Sequence, residues 1–428
     1  MRPIYFLLLI LIFPHVHAQD LVEVLQECPA TLTGSSEPQQ IHLQSTNDHT
    51  EMIVIWATEQ RSQATVEWND GLSADGVSYC YNHDMAFHMA KMTDLTPGEE
   101  VNYRVGDGST WSDEFSFTPI NNEVNHFEWI AIADHGDSTE ALEVTDAIIA
   151  DSEARLVTIS GDISYADGEQ SAWDNWFLAQ EESMRKIPWI TAAGNHENEP
   201  GYGFTPYTHR FDSDGVHETE TFWYSRDIPG AHLVFMSTEH DYTPGSEQYK
   251  ALEADFIAAN ANRENFPFII VMGHSPMYSS NSNHGSEYEL REALEILYIE
   301  QGVDLIIAGH DHFYERTWPV YAEEVQDKGT NEGTLFARGS APIHIVAGTA
   351  GRSAYEELDE PKPDWSAYRE SSTYGYMRLV YDGENKDITF TFYRIDGSIG
   401  DSFTIQNDPL ENNANNGIQC CANRLKPK

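Results

Sequence analysis

Seven side chains suited to binding metals follow five apolar segments of the chain, at turns that each contain a glycine. They are Asp134, Asp162, Tyr165, Asn195, His274, His310 and His312. A mixed set of oxygen and imidazole ligands suits iron, zinc or manganese better than a metal that prefers thiolates. Because seven ligands exceed what one tetrahedral ion takes, the set predicts two ions that share a carboxylate, and Asp162 is the expected bridge.

Each of these turns is a weak signal when it is taken alone. Asp-x-Gly, Gly-Asp and Gly-His sequences most often form ordinary turns, and a single buried tyrosine is usually part of the core. Together the turns are specific, because burying six polar groups unpaired would be costly and metal coordination removes that cost. The carboxyl ends of strands in open α/β sheets collect ligands, so we expect the five turns to converge.

The segments before these turns read as strands of an α/β domain that begins near Asn125. Nearly continuous apolar runs are expected of strands buried on both faces; they span 126–133, 156–160, 189–193, 268–272 and 303–308. Helix-like segments alternate with them at 140–150, 171–185, 246–261 and 288–301. Strand patterns return at 343–346, 377–380 and 388–395, where we predict that they complete a second sheet.

The preceding region carries short strand patterns separated by turn residues. They span 40–44, 52–58, 64–68, 78–82, 87–92, 101–105 and 114–118. Seven short strands at this spacing, with Asn-Asp-Gly, Ala-Asp-Gly and Thr-Pro-Gly between them, are typical of an antiparallel β-sandwich.

The five motifs resemble those of the calcineurin-like metallophosphoesterases. Tyr165 within Gly-Asp-x-x-Tyr, the run from His312 to Thr317 and Pro319 narrow the resemblance to the purple acid phosphatase family, over about 38–405. The sandwich resembles the fibronectin type III-like domain that precedes the catalytic domain in plant-type members, although Val101 stands where a corner tyrosine is usual. The resemblance implies a two-domain α+β protein, with the sandwich followed by a four-layer αββα metallophosphoesterase sandwich.

The expected organisation follows from these patterns. It comprises a signal peptide at 1–18, an N-terminal segment at 19–37, the sandwich at 38–120, a catalytic domain at 125–406 whose C-terminal subdomain is 340–406, and a polar tail at 407–428.

By the same resemblance, Fe(III) would be held by Asp134, Asp162, Tyr165 and His312. A divalent iron, zinc or manganese ion would be held by Asp162, Asn195, His274 and His310. The Tyr165 phenolate would stabilise Fe(III) and colour the protein. The first motif reads Ala-Asp-His-Gly where Gly-Asp-x-Gly is common, but it keeps Asp134.

His196 and His284 match positions that contact the substrate phosphate in the family. Plant relatives often carry two histidines where this chain has His284 and Gly285. The resemblance implies an acid phosphatase that hydrolyses small phosphate monoesters with a metal-held hydroxide, while these histidines neutralise charge or protonate the leaving alcohol. A phosphodiesterase or nucleotide pyrophosphatase on the same centre is one alternative. A catalytically silent secreted binding protein, with the sandwich as an adhesion module, is another.

A formal charge of −46 argues against nucleic acid or an anionic membrane as a partner. It also repels phosphate esters, so a phosphate site must supply local positive charge.

An apolar run at 4–13 before Ala18 is typical of a signal peptide and too short to span a membrane, so we expect secretion or an acidic endomembrane compartment. The sequence leaves the oligomeric state open, with a homodimer as one possible state. We expect Cys420 and Cys421 to pair with Cys28 and Cys80 or to remain partly free.

Overall fold

The structure is a computed structural model that describes residues 32–69, 71–151, 153–211 and 222–407. The signal peptide expected at 1–18, the tail from 408 onward, and Cys28, Cys420 and Cys421 lie outside the described residues. Cys80 is disulfide-bonded, and the pairing expected for the four cysteines stays a prediction. Among the helices of the described residues, none combines the length and the apolar character needed to cross a membrane.

The N-terminal part is a β-sandwich of two four-stranded antiparallel sheets, ordered β1-β2-β6-β5 and β4-β3-β7-β8. The strands are β1 (Gln39–Ser45), β2 (Met52–Thr58), β3 (Thr65–Trp68), β4 (Leu72–Asp75), β5 (Val77–Tyr79), β6 (Ala86–Met92), β7 (Val101–Gly106) and β8 (Phe115–Phe117). Seven of the eight overlap the predicted segments. The eighth, β4, was missed because its residues are mostly exposed and carry no alternation of apolar and polar side chains.

The sandwich packs directly against the rest of the chain. Every residue of β2 is buried, because one face lies in the sandwich core and Ile53 and Ile55 on the other belong to a second cluster with Tyr79 and Tyr81. The Gln44 side chain donates from Nε2 to a carbonyl oxygen 2.9 Å away in the catalytic part. The two parts are therefore joined by buried apolar and polar contacts.

The catalytic part contains two seven-stranded sheets. The first has the order β11-β10-β9-β22-β23-β24-β19 and the second β12-β13-β14-β15-β20-β16-β21. The strands are β9 (His126–Ile132), β10 (Ala154–Ser160), β11 (Trp189–Ala192), β12 (Tyr224–Ile228), β13 (Ala231–Phe235), β14 (Phe268–Met272), β15 (Leu305–Ala308), β16 (Tyr314–Thr317), β17 (Val320–Tyr321), β18 (Glu324–Val325), β19 (Leu335–Ala337), β20 (Ile343–Ala347), β21 (Ser366–Glu370), β22 (Gly375–Asp382), β23 (Asp387–Arg394) and β24 (Ile399–Gln406). Strands β17 and β18 pair separately as a short hairpin.

Five helices of the described residues flank these sheets. They are α1 (Thr139–Ala150), α2 (Gln170–Met184), α3 (Thr205–Arg210), α4 (Glu247–Ala261) and α5 (Tyr288–Glu300), and single 3₁₀ turns span Asn195–Glu197 and Asn331–Gly333. The Ser138 and Ser246 side chains accept hydrogen bonds from backbone N–H groups in the first turns of α1 and α4. Such caps satisfy donors that a helix start would leave unpaired, which explains why these helices begin where they do.

Three hydrophobic clusters divide the catalytic part into four layers. One lies between the sheets and includes Trp129 of β9 and Leu233 of β13. A second packs α1 and α2 on the first sheet through Ile148 and Trp176, and a third packs α4 and α5 on the second sheet, with Phe256 in its centre. The sandwich followed by this αββα arrangement confirms the predicted fold class.

One detail of the predicted sheet arrangement was wrong. Of the three late strand patterns expected to complete a second sheet, only β20 does so. Strands β22 and β23 belong to the first sheet, where Met377 and Leu379 pair antiparallel with Ala131 and Trp129 of β9. Apolar alternation predicts that a segment is a strand, but it carries no information about which strand it pairs with.

Candidate metal centre

The predicted ligand residues meet where strands of both large sheets end. The loops after β9, β10 and β11 of the first sheet and after β14 and β15 of the second carry Asp134, Asp162, Tyr165, Asn195, His274, His310 and His312. Potential ligand atoms of Asp162, His274 and His310 all lie within 4.8 Å of one another. The expected convergence of the five turns is therefore present in the structure.

Four of the residues form one contact group, which we name the Asp162 group. His274 Nε2 lies 3.2 Å from Asp162 Oδ2 and 3.1 Å from Asn195 Oδ1. His310 Nδ1 lies 3.0 Å from the same Asn195 oxygen. A carboxylate, an amide oxygen and two imidazoles thus face one small volume.

The other three residues form a second group, the Tyr165 group. The Tyr165 hydroxyl lies 3.0 Å from both Asp134 Oδ1 and His312 Nε2, and His312 Nε2 is 3.4 Å from Asp134 Oδ1. The groups are adjacent, because the His310 backbone N–H donates to Asp134 Oδ2 over 2.8 Å. Two clusters of potential ligands therefore lie side by side.

The hydrogen bonds of His274 show that the Asp162 group fits a cation. Its Nδ1 lies 2.9 Å from the Ser160 carbonyl oxygen, so this nitrogen must carry a proton and donate it. In a neutral ring Nε2 then has only a lone pair, yet it faces the oxygens of Asp162 and Asn195, which are also acceptors. Acceptors that face one another in a buried site need a proton or a metal ion between them.

The Tyr165 group is similar, except that the Tyr165 hydroxyl supplies one proton, which it donates to Asp134. His312 Nδ1 lies 2.9 Å from the Ser353 carbonyl oxygen, which fixes the proton on that nitrogen. Its Nε2 lone pair then points at Asp134 and the Tyr165 hydroxyl. Backbone carbonyls that orient histidines in this way are the usual outer partners of metal-ligating imidazoles.

In the protein alone, protons take the place of cations. Burial disfavours charge on Asp162 and His274, but their mutual attraction prevails, holding the pKa of Asp162 well below its usual range and raising the pKa of His274 to about 10. Burial, reinforced by His274, lowers the pKa of His310 to about 4. Burial and nearby Asp134 raise the pKa of Tyr165 well above its usual range. Metal binding must therefore release protons from His274 and Tyr165.

The backbone around the ligands is unusual. Asp134, Asp162, Tyr165 and His310 have φ values of 57°, 53°, 54° and 70°, a region that costs residues other than glycine about 1–3 kcal/mol each. Gly194 has an ordinary φ of −107°, but a Cβ there would lie 2.3 Å from Asp162 Oδ1. This glycine is thus required for space beside a ligand, and the strained φ values fall on ligand residues themselves.

Glu197 supports the loop that carries Asp162. The sequence indicated no role for Glu197, which directly follows His196. Its buried carboxylate accepts backbone N–H groups of Asp162, Ile163 and Gly194, each over 2.8 Å. Burial and the Asp162 charge raise the pKa of Glu197 to about 8, whereas the N–H donors favour its ionised form. Glu197 therefore fixes the backbone that presents the expected bridging ligand.

The two histidines expected to contact substrate lie against the two groups. His196 has its ring centroid 4.4 Å from that of Tyr165 and its Nε2 3.9 Å from Asp162 Oδ2. Its Nδ1 lies 2.5 Å from Asp167 Oδ1, a partner that the sequence did not indicate. Asp167 thus orients the imidazole so that Nε2 faces the Asp162 group.

His284 contacts the Asp162 group, with its ring centroid 4.3 Å from that of His310. Its Nε2 is 3.2 Å from the Tyr355 hydroxyl. Asp311 holds the adjoining loop by accepting the Gly285 N–H over 3.2 Å, and burial raises the pKa of Asp311 to about 7. A single histidine at this position therefore still reaches the centre.

Arg352 and Tyr355 were also missed from the sequence; they follow β20 and contact Tyr165 and His284. A signal for them was present, because β20 is a largely apolar strand followed directly by Gly348, just as β10, β14 and β15 are followed directly by a glycine. The segment was not recognised since no residue directly after its glycine is a metal ligand.

Family models match most of the described chain. The family model for calcineurin-like phosphoesterases matches residues 125–314, that for the purple acid phosphatase N-terminal domain matches 38–119, and that for the iron/zinc purple acid phosphatase-like protein C region matches 341–402.

Individual relatives cover most of the chain. Acid phosphatase type 7 of Danio rerio is 32% identical over 384 residues, which are 80% of this chain and 85% of that protein. A purple acid phosphatase of Glycine max is 31% identical over 386 residues, covering 82% of this chain and 81% of the relative. The solved structure of a purple acid phosphatase from yellow lupin (Lupinus luteus) seeds is similar in fold, with a TM-score of 0.78 at 24% identity, over 87% of this chain and 75% of that one.

Proposed function

Because this chain belongs to the purple acid phosphatase family and is an acid phosphatase, we propose that it hydrolyses phosphate monoesters with an Fe(III) ion and a divalent ion. One observation carries the proposal: hydrogen-bond acceptors face one another in the site. The Nε2 atoms of His274 and His312 each point at a carboxylate oxygen. No lysine or arginine of the described residues forms an ion pair with these carboxylates. Cations are the natural complement of such a donor set.

The assignment of ligands follows the two contact groups. Asp134, Tyr165 and His312 would hold Fe(III), since a phenolate and a carboxylate are hard anionic ligands. Asn195, His274 and His310 would hold the divalent iron, zinc or manganese ion. Asp162 would bridge, because it contacts His274 directly and its charge also acts on Tyr165.

When bound, a pair of ions supplies charge that polarises the phosphorus–oxygen bonds and a water-derived nucleophile that is available in acid. The chain's own residues bind and orient the substrate. His196, held through Nδ1 by Asp167, directs Nε2 towards the space above Asp162. His284 presents its ring beside His310. An imidazole N–H is a hydrogen-bond donor, so these histidines can donate to phosphoryl oxygens or to the leaving alcohol.

The net charge of the chain bears on the class of substrate. With a formal charge of −46, the protein repels nucleic acid and anionic membranes, and we propose small phosphate esters as its substrates. We further propose that the chain is secreted or resides in an acidic endomembrane compartment, on the strength of the signal-peptide pattern at 1–18. A mass measurement in solution tests whether the protein forms a homodimer.

Metal analysis, visible absorption and phosphate release by Asp162→Ala and Tyr165→Phe test this function. The wild-type protein supplied with iron and zinc should hold both metals, absorb visible light and release phosphate from a monoester in acid. Asp162→Ala should lose both metals and all turnover, and Tyr165→Phe should lose the absorption band that depends on its phenolate.

The control is the same assay with a phosphodiester, which separates a monoesterase from a diesterase on the same centre. A wild-type protein that stays colourless, metal-free and inert after iron and zinc are supplied would contradict the proposal. Full activity of Asp162→Ala would disprove the bridge.

A further inference from the structure

The loop that follows β20 forms a wall of the metal centre. Its backbone is tied to two of the ligand residues, since the Arg352 N–H donates to the Asp134 carbonyl oxygen over 3.0 Å and the Tyr355 N–H donates to the His312 carbonyl oxygen over 2.8 Å. Both hydrogen bonds are made to residues of the Tyr165 group. The loop therefore keeps a fixed position relative to the proposed Fe(III) ligands.

Arg352 places a positive charge beside this group. Its guanidinium carbon lies 4.2 Å from the centroid of the Tyr165 ring, which also contacts the His196 ring. The side chain is exposed, and among the described residues its guanidinium has no hydrogen bond or ion pair. Five N–H donors are thus held next to the centre without a protein acceptor.

Tyr355 lies on the same loop and contacts the second proposed substrate histidine. Its ring stacks on His312 with centroids 4.3 Å apart at 18°, and its hydroxyl lies 3.2 Å from His284 Nε2. Because phenols lose their proton only near about pH 10, a tyrosine hydroxyl in acid can donate to an anion. The loop therefore places Arg352 against Tyr165, and Tyr355 against His312 and His284.

The charge of the whole chain makes these donors significant. A protein with a formal charge of −46 repels a phosphate ester at long range. In the part of the chain that the structure describes, Arg352 is the one lysine or arginine whose side chain contacts any of the seven proposed ligands. A planar guanidinium matches the oxygens of a phosphate group and is the stronger of the two basic side chains in binding them.

We propose that Arg352 and Tyr355 bind the phosphoryl group of the substrate and the phosphate product, in addition to His196 and His284. The inference rests on the proposed function, because it assumes that phosphate esters occupy the centre. Arg352 is a binding residue here, and its contact with Tyr165 holds the guanidinium in place. The ligands recognised are phosphate monoesters and inorganic phosphate.

The test measures phosphate binding separately from catalysis. Wild-type protein, Arg352→Gln, Arg352→Lys and Tyr355→Phe are loaded with iron and zinc, and inorganic phosphate is titrated by calorimetry. Arg352→Gln should bind phosphate about tenfold more weakly and show a similar rise in KM, with kcat changed less than about threefold. Arg352→Lys should bind more tightly than Arg352→Gln, and Tyr355→Phe should weaken binding by about threefold.

The matched control is Arg61→Gln, which removes an exposed arginine from the sandwich and should leave phosphate affinity unchanged. Wild-type affinity in Arg352→Gln would overturn the inference. A lowered metal content or an altered absorption band with unchanged phosphate affinity would overturn it too, since Arg352 would then only support Tyr165. If the wild-type protein itself takes up no metal, the proposed function fails first, and that outcome is recognised before any variant is made.

Discussion

Replacing Gly194 with alanine should weaken metal binding by about 10–100-fold while the protein stays folded. Alanine adopts a φ of −107° without strain, so residue 194 can keep its own backbone conformation. Its Cβ would lie 2.3 Å from Asp162 Oδ1, 2.6 Å from the Asp162 backbone nitrogen and 2.9 Å from His274 Cγ, whereas ordinary contacts begin near 3.4 Å. Asp162 would have to withdraw by about 1 Å, but ligand distances tolerate only about 0.2 Å.

The energetic cost of this overlap is about 1–3 kcal/mol, less than the roughly 5–15 kcal/mol that stabilise a typical domain. Metal content, the visible band and kcat/KM are the measurements, and we expect affinity and activity to fall by about 10–100-fold. Gly397→Ala is the control, because Gly397 has a φ of 81° and no atom lies within 4 Å of the place its Cβ would take. It should lose about 1 kcal/mol of stability and keep its metals. A Gly194→Ala protein with two ions and wild-type activity would refute the reasoning.

Two further changes test other parts of the structure. Glu197→Gln keeps the side-chain volume but turns an amide N–H towards backbone donors, so metal affinity in a zinc titration should fall about 10–100-fold, and unchanged affinity would show that the carboxylate is dispensable. Far from the centre, burial disfavours charge on His232, but Asp227 and Asp255 prevail and raise its pKa to about 9. The stabilisation of the folded protein by this pair is complete below the unfolded pKa near 6.5 and is lost as the pH rises through about 9. In urea unfolding, His232→Gln should therefore lower the free energy of unfolding by about 1–2 kcal/mol near pH 6 and change it little near pH 10. Equal losses at both pH values would contradict the pairing.

The site was more predictable than the arrangement of the sheets. The convergence of the seven proposed ligand residues was predicted from the sequence, because each follows a buried strand and the carboxyl ends of such strands meet. The sequence could not show that the strands belong to two sheets, since β9 and β14 have equally apolar runs. Their partners are set by long-range pairing, which leaves no local pattern.

Residues that act through geometry alone were also missed. Arg352 stands in a segment with no ligand motif, and only the close approach of its loop to Asp134 brings it to the centre. Asp167 was missed because an exposed aspartate in a turn is common, and its contact with His196 depends on how two loops fold together. The contact between Asp167 and His196 follows from tertiary structure and leaves no signal in residue spacing, whereas the glycine after β20 was the one signal for the Arg352 segment.

The strand order of the first sheet sets when the centre can form during synthesis. Strand β9 lies between β10 and β22, and Ala131 pairs with Met377, which leaves the ribosome much later. Until then, the strand that presents Asp134 lacks one neighbour, although every ligand residue has already been made. A chain halted before β22 would thus carry all the proposed ligands without the neighbouring strand that supports β9, so we expect stable metal loading to follow the synthesis of β22.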